Sequence, residues 1–391
     1  MRTPTLRYIA ALALAAAVLA ASCEEGPVGI FASIAGETDI GEGTEAFRRA
    51  SPSWVSRLGN DYYAGVGSLY RENASGVWQT VTSAAATANG GKTTFAPSGV
   101  VAGGVLYAAL VDGATGDGLG IWSTADGTTW VRVDAAFPAA GRTLRRLLSA
   151  NGVLFALTDD ETSATSVSLH WLNGAAFASS GVSAADIGMP NSVAWDGTTY
   201  WFDAGASILT GTTPGGIAAT APPATDSFSG VMTLAAGTVL FTARSGKLYR
   251  YFDVPDPDPD WHVSSVYQNS SSKIEYSFSV PTLVTFGATT ALVIGTAGIP
   301  ADDGTSPALG GYLEFDATGG FDPGTSPAAN TTHTQIADAV NFETSLTGQS
   351  VRALPLFDEG SGVLTVFALT DGYGLWSNHY SGSAWGKWQR E

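Results

Sequence analysis

GGVLYAALVDGATGDGLGIWSTADGTTW, residues 103–130, holds three signals in a fixed order. Gly103-Gly104 sits between apolar runs and reads as a β-hairpin turn, because glycine adopts without penalty the positive φ angles that two-residue hairpins demand. A short strand with paired apolar residues follows, Gly120-Ile121-Trp122, and the bulky Trp130 closes the unit.

Outward from this unit the same order recurs along the chain. Hairpin turns fall at Asn60-Asp61, Gly103-Gly104, Asn151-Gly152, Asp196-Gly197, Ala236-Gly237, Gly287-Ala288 and Gly360-Ser361-Gly362. With the last counted from Ser361, they lie 43, 48, 45, 40, 51 and 74 residues apart. Partner strands follow at Ser68-Leu69-Tyr70, Gly120-Ile121-Trp122, Ser168-Leu169-His170, Ser207-Ile208-Leu209, Lys247-Leu248-Tyr249, Gly311-Tyr312-Leu313 and Gly374-Leu375-Trp376. Trp78, Trp130, Phe177, Ile217, Trp261, Phe321 and Trp385 close the units, 8, 8, 7, 8, 12, 8 and 9 residues after each partner strand. Only the fifth distance departs, and there the added residues are an Asp-Pro tract.

A period of roughly 40 to 50 residues is that of a four-stranded propeller blade. One such antiparallel sheet cannot bury both faces alone. Packed radially against neighbours it can, and closing the ring leaves only short, protected edges. The closing residue is expected between blades, where an aromatic side chain buries about 150–250 Å². The pattern predicts an all-β fold, a seven-bladed β-propeller of four-stranded antiparallel blades over residues 51–391. An insertion, Pro323 to Gly348, is expected to project from one face with a short helix at Thr334 to Phe342. With 45% hydrophobic and 10% aromatic residues the chain can build a core, so its 48 glycines are read as turn residues and not as low complexity.

Residues 1–22 read as an export signal: Arg2 and Arg7 precede an apolar run from Ile9 to Ala21 that ends in small side chains. The run is shorter than the about 20 apolar residues that a spanning helix needs. Leu19-Ala20-Ala21-Ser22-Cys23 resembles the bacterial lipobox, with Ala20 where that family usually has leucine. The resemblance implies cleavage before Cys23 and a diacylglycerol on its sulfur. The alternative is ordinary cleavage that leaves a free thiol. Cys23 is the one cysteine of the chain, and an unpaired thiol on an exported protein is a reactive hazard that lipidation removes. Residues 23–50 are then a lipidated tether with one extra strand, Val28 to Ile34, and the protein is expected at the periplasmic face or the cell surface. Loss of the leader leaves 35 acidic against 16 basic side chains. Such a surface repels phosphate backbones, and nucleic acid is not an expected partner.

Ser123-Thr124-Ala125-Asp126-Gly127-Thr128-Thr129-Trp130 resembles the Asp-box, or BNR repeat, of sialidases and other bacterial propellers, with the aspartate one place late. The resemblance implies structural roles for Ser123, Asp126, Gly127 and Trp130: a hydrogen-bonded turn with the tryptophan packed inward. A sialidase would also need three arginines converging on a carboxylate, a Tyr/Glu nucleophile pair and an acid/base aspartate. Its early Phe-Arg-Ile-Pro motif is missing, and Val351-Arg352-Ala353-Leu354-Pro355 echoes it only in a late blade. Arg142, Arg145 and Arg146 cluster, but strand alternation keeps three such neighbours from all converging.

Asp253-Val254-Pro255-Asp256-Pro257-Asp258-Pro259-Asp260 is held extended by its prolines. Asp256, Asp258 and Asp260 are candidate Ca²⁺ ligands, although an extended chain splays carboxylates and a rigid acidic loop is the plainer reading. Asp159-Asp160-Glu161, Asp302-Asp303 and Asp358-Glu359 read as solvated loop acids, and His170, His262, His333 and His379 lie too far apart for a zinc motif. Most of Tyr62, Tyr63, Trp195, Trp201, Tyr373 and Tyr380 are expected to pack. No catalytic or cofactor-binding residue is assigned.

The leading expectation is a membrane-anchored, non-enzymatic binding or scaffold lipoprotein that presents a propeller face to an envelope protein or glycan. The alternative is an exported glycan-active hydrolase whose carboxylates come from different blades. Converging carboxylates and arginines in the largest pocket would favour the enzyme, and a broad neutral or aromatic surface would favour binding.

Overall fold

A computed structural model describes residues 47, 50–73, 75–160, 163–184, 188–252, 260–267, 275–297, 310–323, 346 and 349–391. Cys23, the Val28 to Ile34 strand, Asp256, Asp258, Asp302, Asp303, Glu161, His333 and almost all of the 323–348 insertion lie outside the described residues.

The chain forms seven blades of antiparallel strands. Their innermost strands are Trp54–Leu58, Thr94–Ala102, Arg142–Ala150, Val193–Trp195, Phe228–Ala235, Phe278–Phe286 and, in the last blade, Val351–Ala353 continued by Leu356–Gly360. The apolar runs after the hairpin turns are the second strands. Tyr200–Ala204 is buried along its whole length, and Thr238–Ala243 and Val363–Thr370 are buried except for the first residue. A strand covered on both faces shows no alternation, which is why these segments read as continuous hydrophobic stretches.

All seven turns lie between the first and second strands of their blades. Ala102 pairs with Val105, Ala150 with Val153, Ala235 with Thr238 and Phe286 with Thr289, each across a two-residue loop. The first loop is Gly59-Asn60, one residue earlier than expected, and the fourth spans 196–199 between Trp195 and Tyr200. The partner triplets lie in or just before the third strands. Trp78, Trp130, Ile217 and Phe321 are buried closing residues. In the last blade Trp385 is half-buried against Phe286 and Tyr380, while Trp388 is buried among Tyr312 and its neighbours.

A short helix not expected from the sequence, Thr82–Asn89, joins the first two blades and stops at Gly90 in the left-handed conformation. Three strands of the sixth blade are among the described residues, and the insertion separates them from the seventh.

Closure of the ring adds no N-terminal strand to the last blade among the described residues, for every described strand of that blade follows Ser350 in sequence. Phe47 is fully buried at the seam between the last and first blades, against Tyr70 at 5.0 Å and Trp78 at 5.3 Å. Trp78 Nε1 donates to Glu391 Oε2 at 3.0 Å, Gly374 N donates to Ala50 O at 3.0 Å, and Gly372 N donates to Ser51 Oγ at 2.9 Å. Residue 47 therefore belongs to the ring, ahead of the boundary expected at residue 51.

Candidate functional site: the mouth of the central channel

Innermost strands run the same way in every blade, so their first residues ring one end of the channel and the seven hairpins ring the other. At the first end lies a cavity of about 870 Å³ that takes lining residues from all seven blades. Its charged lining residues are Arg145, Arg146, Arg244, Arg352 and Asp371. Four guanidiniums meet one carboxylate in a chain with 35 acidic and 18 basic residues.

A repeated backbone irregularity builds this mouth. In five blades the innermost strand carries one residue more than its partner near the start. The shifts fall between Phe95 and Ser98, between Leu144 and Arg146, between Phe228 and Gly230, between Phe278 and Pro281, and between Val351 and Ala353. A β-bulge of this kind bends the strand and re-aims side chains. It also tolerates proline, which accounts for Pro97 in an innermost strand. The extra residue is Arg145 in the third blade, Ser229 in the fifth and Arg352 in the seventh.

The bulge corrects the expectation drawn from alternation. Arg142 stands apart, with its Nη2 donating to Thr158 O at 3.2 Å and to Ser168 Oγ at 2.7 Å. Arg145 and Arg146 nevertheless both line the cavity, although they are consecutive. Arg352, read as a stray motif in a late blade, lines it too, because ring closure brings the seventh blade round to the same mouth.

Each arginine is held differently. Arg145 Nε pairs with Asp159 Oδ2 at 2.6 Å, and Arg352 Nε pairs with Asp371 Oδ1 at 2.8 Å. Their side chains remain 49% and 45% exposed, and apart from Arg352 Nη2, which donates to Pro52 O, their outer guanidinium nitrogens are open to a ligand. Arg146 is more enclosed, donating through Nη1 to Pro190 O at 3.0 Å and Asn191 Oδ1 at 2.7 Å. Burial lowers its pKa, the Asp203 charge raises it, and the Arg352 charge lowers it again, so Arg146 feels Arg352 directly. Arg244 is exposed and has no hydrogen-bond or ion-pair partner for its guanidinium among the described residues.

Asp203 supports Arg146 from behind. It is wholly buried and accepts hydrogen bonds from Asn191 N, Asn191 Nδ2, Ser192 N and Ser192 Oγ at 2.6 to 3.3 Å. Burial outweighs those donors and pushes its carboxyl up to about 6.

Hydrogen bonds near the mouth stitch neighbouring blades together. Trp54 Nε1 donates to Ala96 O at 2.8 Å, Leu147 N to Ser98 Oγ at 2.8 Å, Val231 N to Ser192 Oγ at 2.7 Å, Ser229 Oγ to Phe278 O at 2.6 Å, and Arg352 Nη2 to Pro52 O at 2.9 Å. Arg146 spans the third and fourth blades as described, and Gly311 N donates to Gln349 O at 2.8 Å between the sixth and seventh. The wall of the mouth is thus held in place by bonds between blades before any ligand arrives.

The residues 123–130 turn lies away from the mouth. Asp126 Oδ1 accepts from Thr128 N at 2.8 Å and Thr129 N at 2.7 Å, and Oδ2 accepts from Thr129 Oγ1 at 2.9 Å. Gly127 N donates to Thr124 Oγ1 at 2.9 Å, Ser123 Oγ reaches Val131 O at 3.4 Å, and Trp130 is buried. The same Asp-Gly-Thr-Thr sequence at 196–199, which includes the fourth hairpin pair Asp196-Gly197, forms a similar turn: Asp196 Oδ1 accepts from Thr198 N and Thr199 N, and Trp201 Nε1 donates to Oδ2 at 2.7 Å.

Tyr62 and Glu359 form a Tyr/Glu pair at 2.6 Å with Arg57 beside it, but at the hairpin end, the opposite end of the channel from the mouth arginines. Burial, reinforced by the bond to Glu359, pushes the Tyr62 hydroxyl up, the opposite of what a nucleophile requires. Tyr62, Tyr63, Trp201 and Tyr380 are buried and Tyr373 is 47% exposed. Asp260 begins the strand Asp260–Val263. Among the described residues no group of three or more His, Cys, Asp or Glu side chains is placed to hold a metal ion.

No protein-family model matches the chain, and no curated protein matches it. Solved propellers do. A structure of YCF48 bound to D1 peptide superposes with a TM-score of 0.52 at 12% identity, covering 84% of this chain and 93% of that one. YCF48 from Cyanidioschyzon merolae gives 0.49 at 12% identity over 83% and 94%, and the WD40 propeller domain of Doa1 gives 0.46 at 9% over 86% and 97%. Identities this low speak for the fold alone.

Proposed function

We propose that this β-propeller is a non-enzymatic binding or scaffold lipoprotein of the bacterial envelope, anchored through Cys23, which offers the channel mouth to a protein or glycan partner. The preformed mouth carries the reading: residues from every blade line one cavity whose rim is cross-linked by hydrogen bonds across the blade junctions. Rigid, concave and mostly uncharged apart from its arginines, it suits recognition of a partner group.

The arginines converge, which is one of the two features expected of an enzyme. The carboxylates do not. Asp371 is the one acidic lining residue and is tied to Arg352, whereas glycosidases of the common kinds set two carboxyl groups about 5 to 9.5 Å apart across the scissile bond. The convergent arginines keep a sialidase-like hydrolase as the second reading. Against it stands the Tyr/Glu pair, whose tyrosine is raised in pKa and which sits at the other end of the channel.

Capture of partners from membranes by the native lipidated protein tests the binding role, and a panel of glycoside substrates tests the alternative. Turnover abolished by a single Asp or Glu substitution would overturn the non-enzymatic reading. Cys23→Ala is expected to move the protein from the membrane to the soluble fraction. Retention in the membrane would refute the anchor.

A further inference from the structure

We propose that the channel mouth binds one tetrahedral monoanion, a sulfate monoester such as a sulfated sugar carries, between Arg352, Arg244 and the Arg145/Arg146 pair. This rests on the binding reading and gives it a ligand class.

Charge is the first argument. Arg145, Arg146, Arg244 and Arg352 stand against Asp371 on the lining and Asp159 and Asp203 behind it. Counted at their formal charges, these groups hold one positive charge more than negative. A single anionic charge completes the site. A phosphate monoester carries about −1.5 to −2 at pH 7 and would leave the site negative, inside a protein whose formal net charge is already −17.

Shape is the second. The guanidiniums come from the third, fifth and seventh blades, three separate directions around the channel axis. A planar carboxylate presents two oxygens in one plane and is met by one or two guanidinium forks. A sulfate ester presents three oxygens splayed about the S–O(C) bond, one for each direction, with its stalk free to leave along the axis. Donors remain for it: Arg145 uses Nε for Asp159, Arg352 uses Nε for Asp371 and Nη2 for Pro52 O, and the Arg244 guanidinium has no hydrogen-bond or ion-pair partner among the described residues. The cavity, at about 870 Å³, is far larger than the anion and has room for the sugar behind it. Ser53, Ser149 and Ser277 add hydroxyls to that wall.

The test uses the full mature chain in detergent at low ionic strength, where guanidinium contacts are least screened. Phenylglyoxal modification of Arg244 and Arg352 is followed by peptide mass mapping in the presence of galactose 6-sulfate, galactose 6-phosphate, galacturonate, galactose or inorganic sulfate. Galactose 6-sulfate is expected to slow labelling of both arginines at the lowest concentration of the series. Arg244→Gln is expected to weaken that protection at Arg352 about tenfold, the loss of one charge-assisted hydrogen-bonding group, with an unchanged thermal transition. Tighter protection by galacturonate would overturn the proposal in favour of a carboxylate site. Tighter protection by the phosphate, equal protection by galactose, or equal protection by inorganic sulfate would overturn the sulfate-ester assignment. If no anion protects while membrane partners are still captured, the site fails and the binding role stands; protection without any captured partner is the reverse result.

Discussion

Trp54 is buried in the innermost strand of the first blade, and two glycines make room for it. A Cβ on Gly99 would overlap its six-membered ring, and one on Gly65 would meet its Nε1 and the carbonyl of Ala96. Ala96 O is the acceptor for that same Nε1, at 2.8 Å. Gly99→Ala is therefore expected to cost about 1–3 kcal/mol of stability by overpacking, measured by urea unfolding. Gly118→Ala, where nothing stands within 4 Å, is the control. Asp126 gives a pH-dependent counterpart. The N–H groups of Thr129 and Thr128 hold its carboxyl well below the ordinary value of 3.8. A depressed carboxyl contributes stability above its unfolded value and loses it as pH falls through the folded one. The melting temperatures of wild type and Asp126→Ala should thus differ most at neutral pH and converge on strong acidification.

At the scale of the element, the bulged innermost strand sets the site and the seam between first and last blades sets the pH response. Glu72 ends the strand Ser68–Glu72, and burial, then the charges of Glu391 and Glu359, push its carboxyl from 4.5 up to about 7. A raised carboxyl penalises the ionised native state. Stability is therefore highest below the unfolded value and falls as pH rises from 4.5 through about 7. Glu72→Gln should raise the melting temperature relative to wild type near pH ~8 and leave it almost unchanged near pH ~4.5; equal effects at both would refute the assignment. The hairpins that mark each blade were legible because their turn chemistry is local. The bulges were not, since a bulge exists only relative to a partner strand. Pro97 and Pro281 were the available clue, for proline inside a strand signals an edge or a bulge.

For the molecule as a whole, the ring closes through packing. Trp78 is 4% exposed, edge-on to Phe47 and Phe367, and bonded to Glu391. Trp78→Ala removes that wedge between the first and last blades and should cost about 3–5 kcal/mol. Because the ring's blades support one another, the loss should appear as a shifted cooperative transition by calorimetry and not as the melting of one blade. A separate low-temperature transition would show that the blades unfold independently.

Turn pairs, apolar second strands and bulky closing residues obey local rules of backbone geometry and burial, and they repeat. Seven blades, their hairpins and most of their wedges could accordingly be counted along the chain. What brings Arg145, Arg146, Arg244 and Arg352 to one mouth is not local. Strand register decides that consecutive arginines share a face, and ring closure decides that residues more than 200 positions apart, Arg145 and Arg352, line one cavity. Both depend on pairings between distant segments, and alternation along a single strand points the other way.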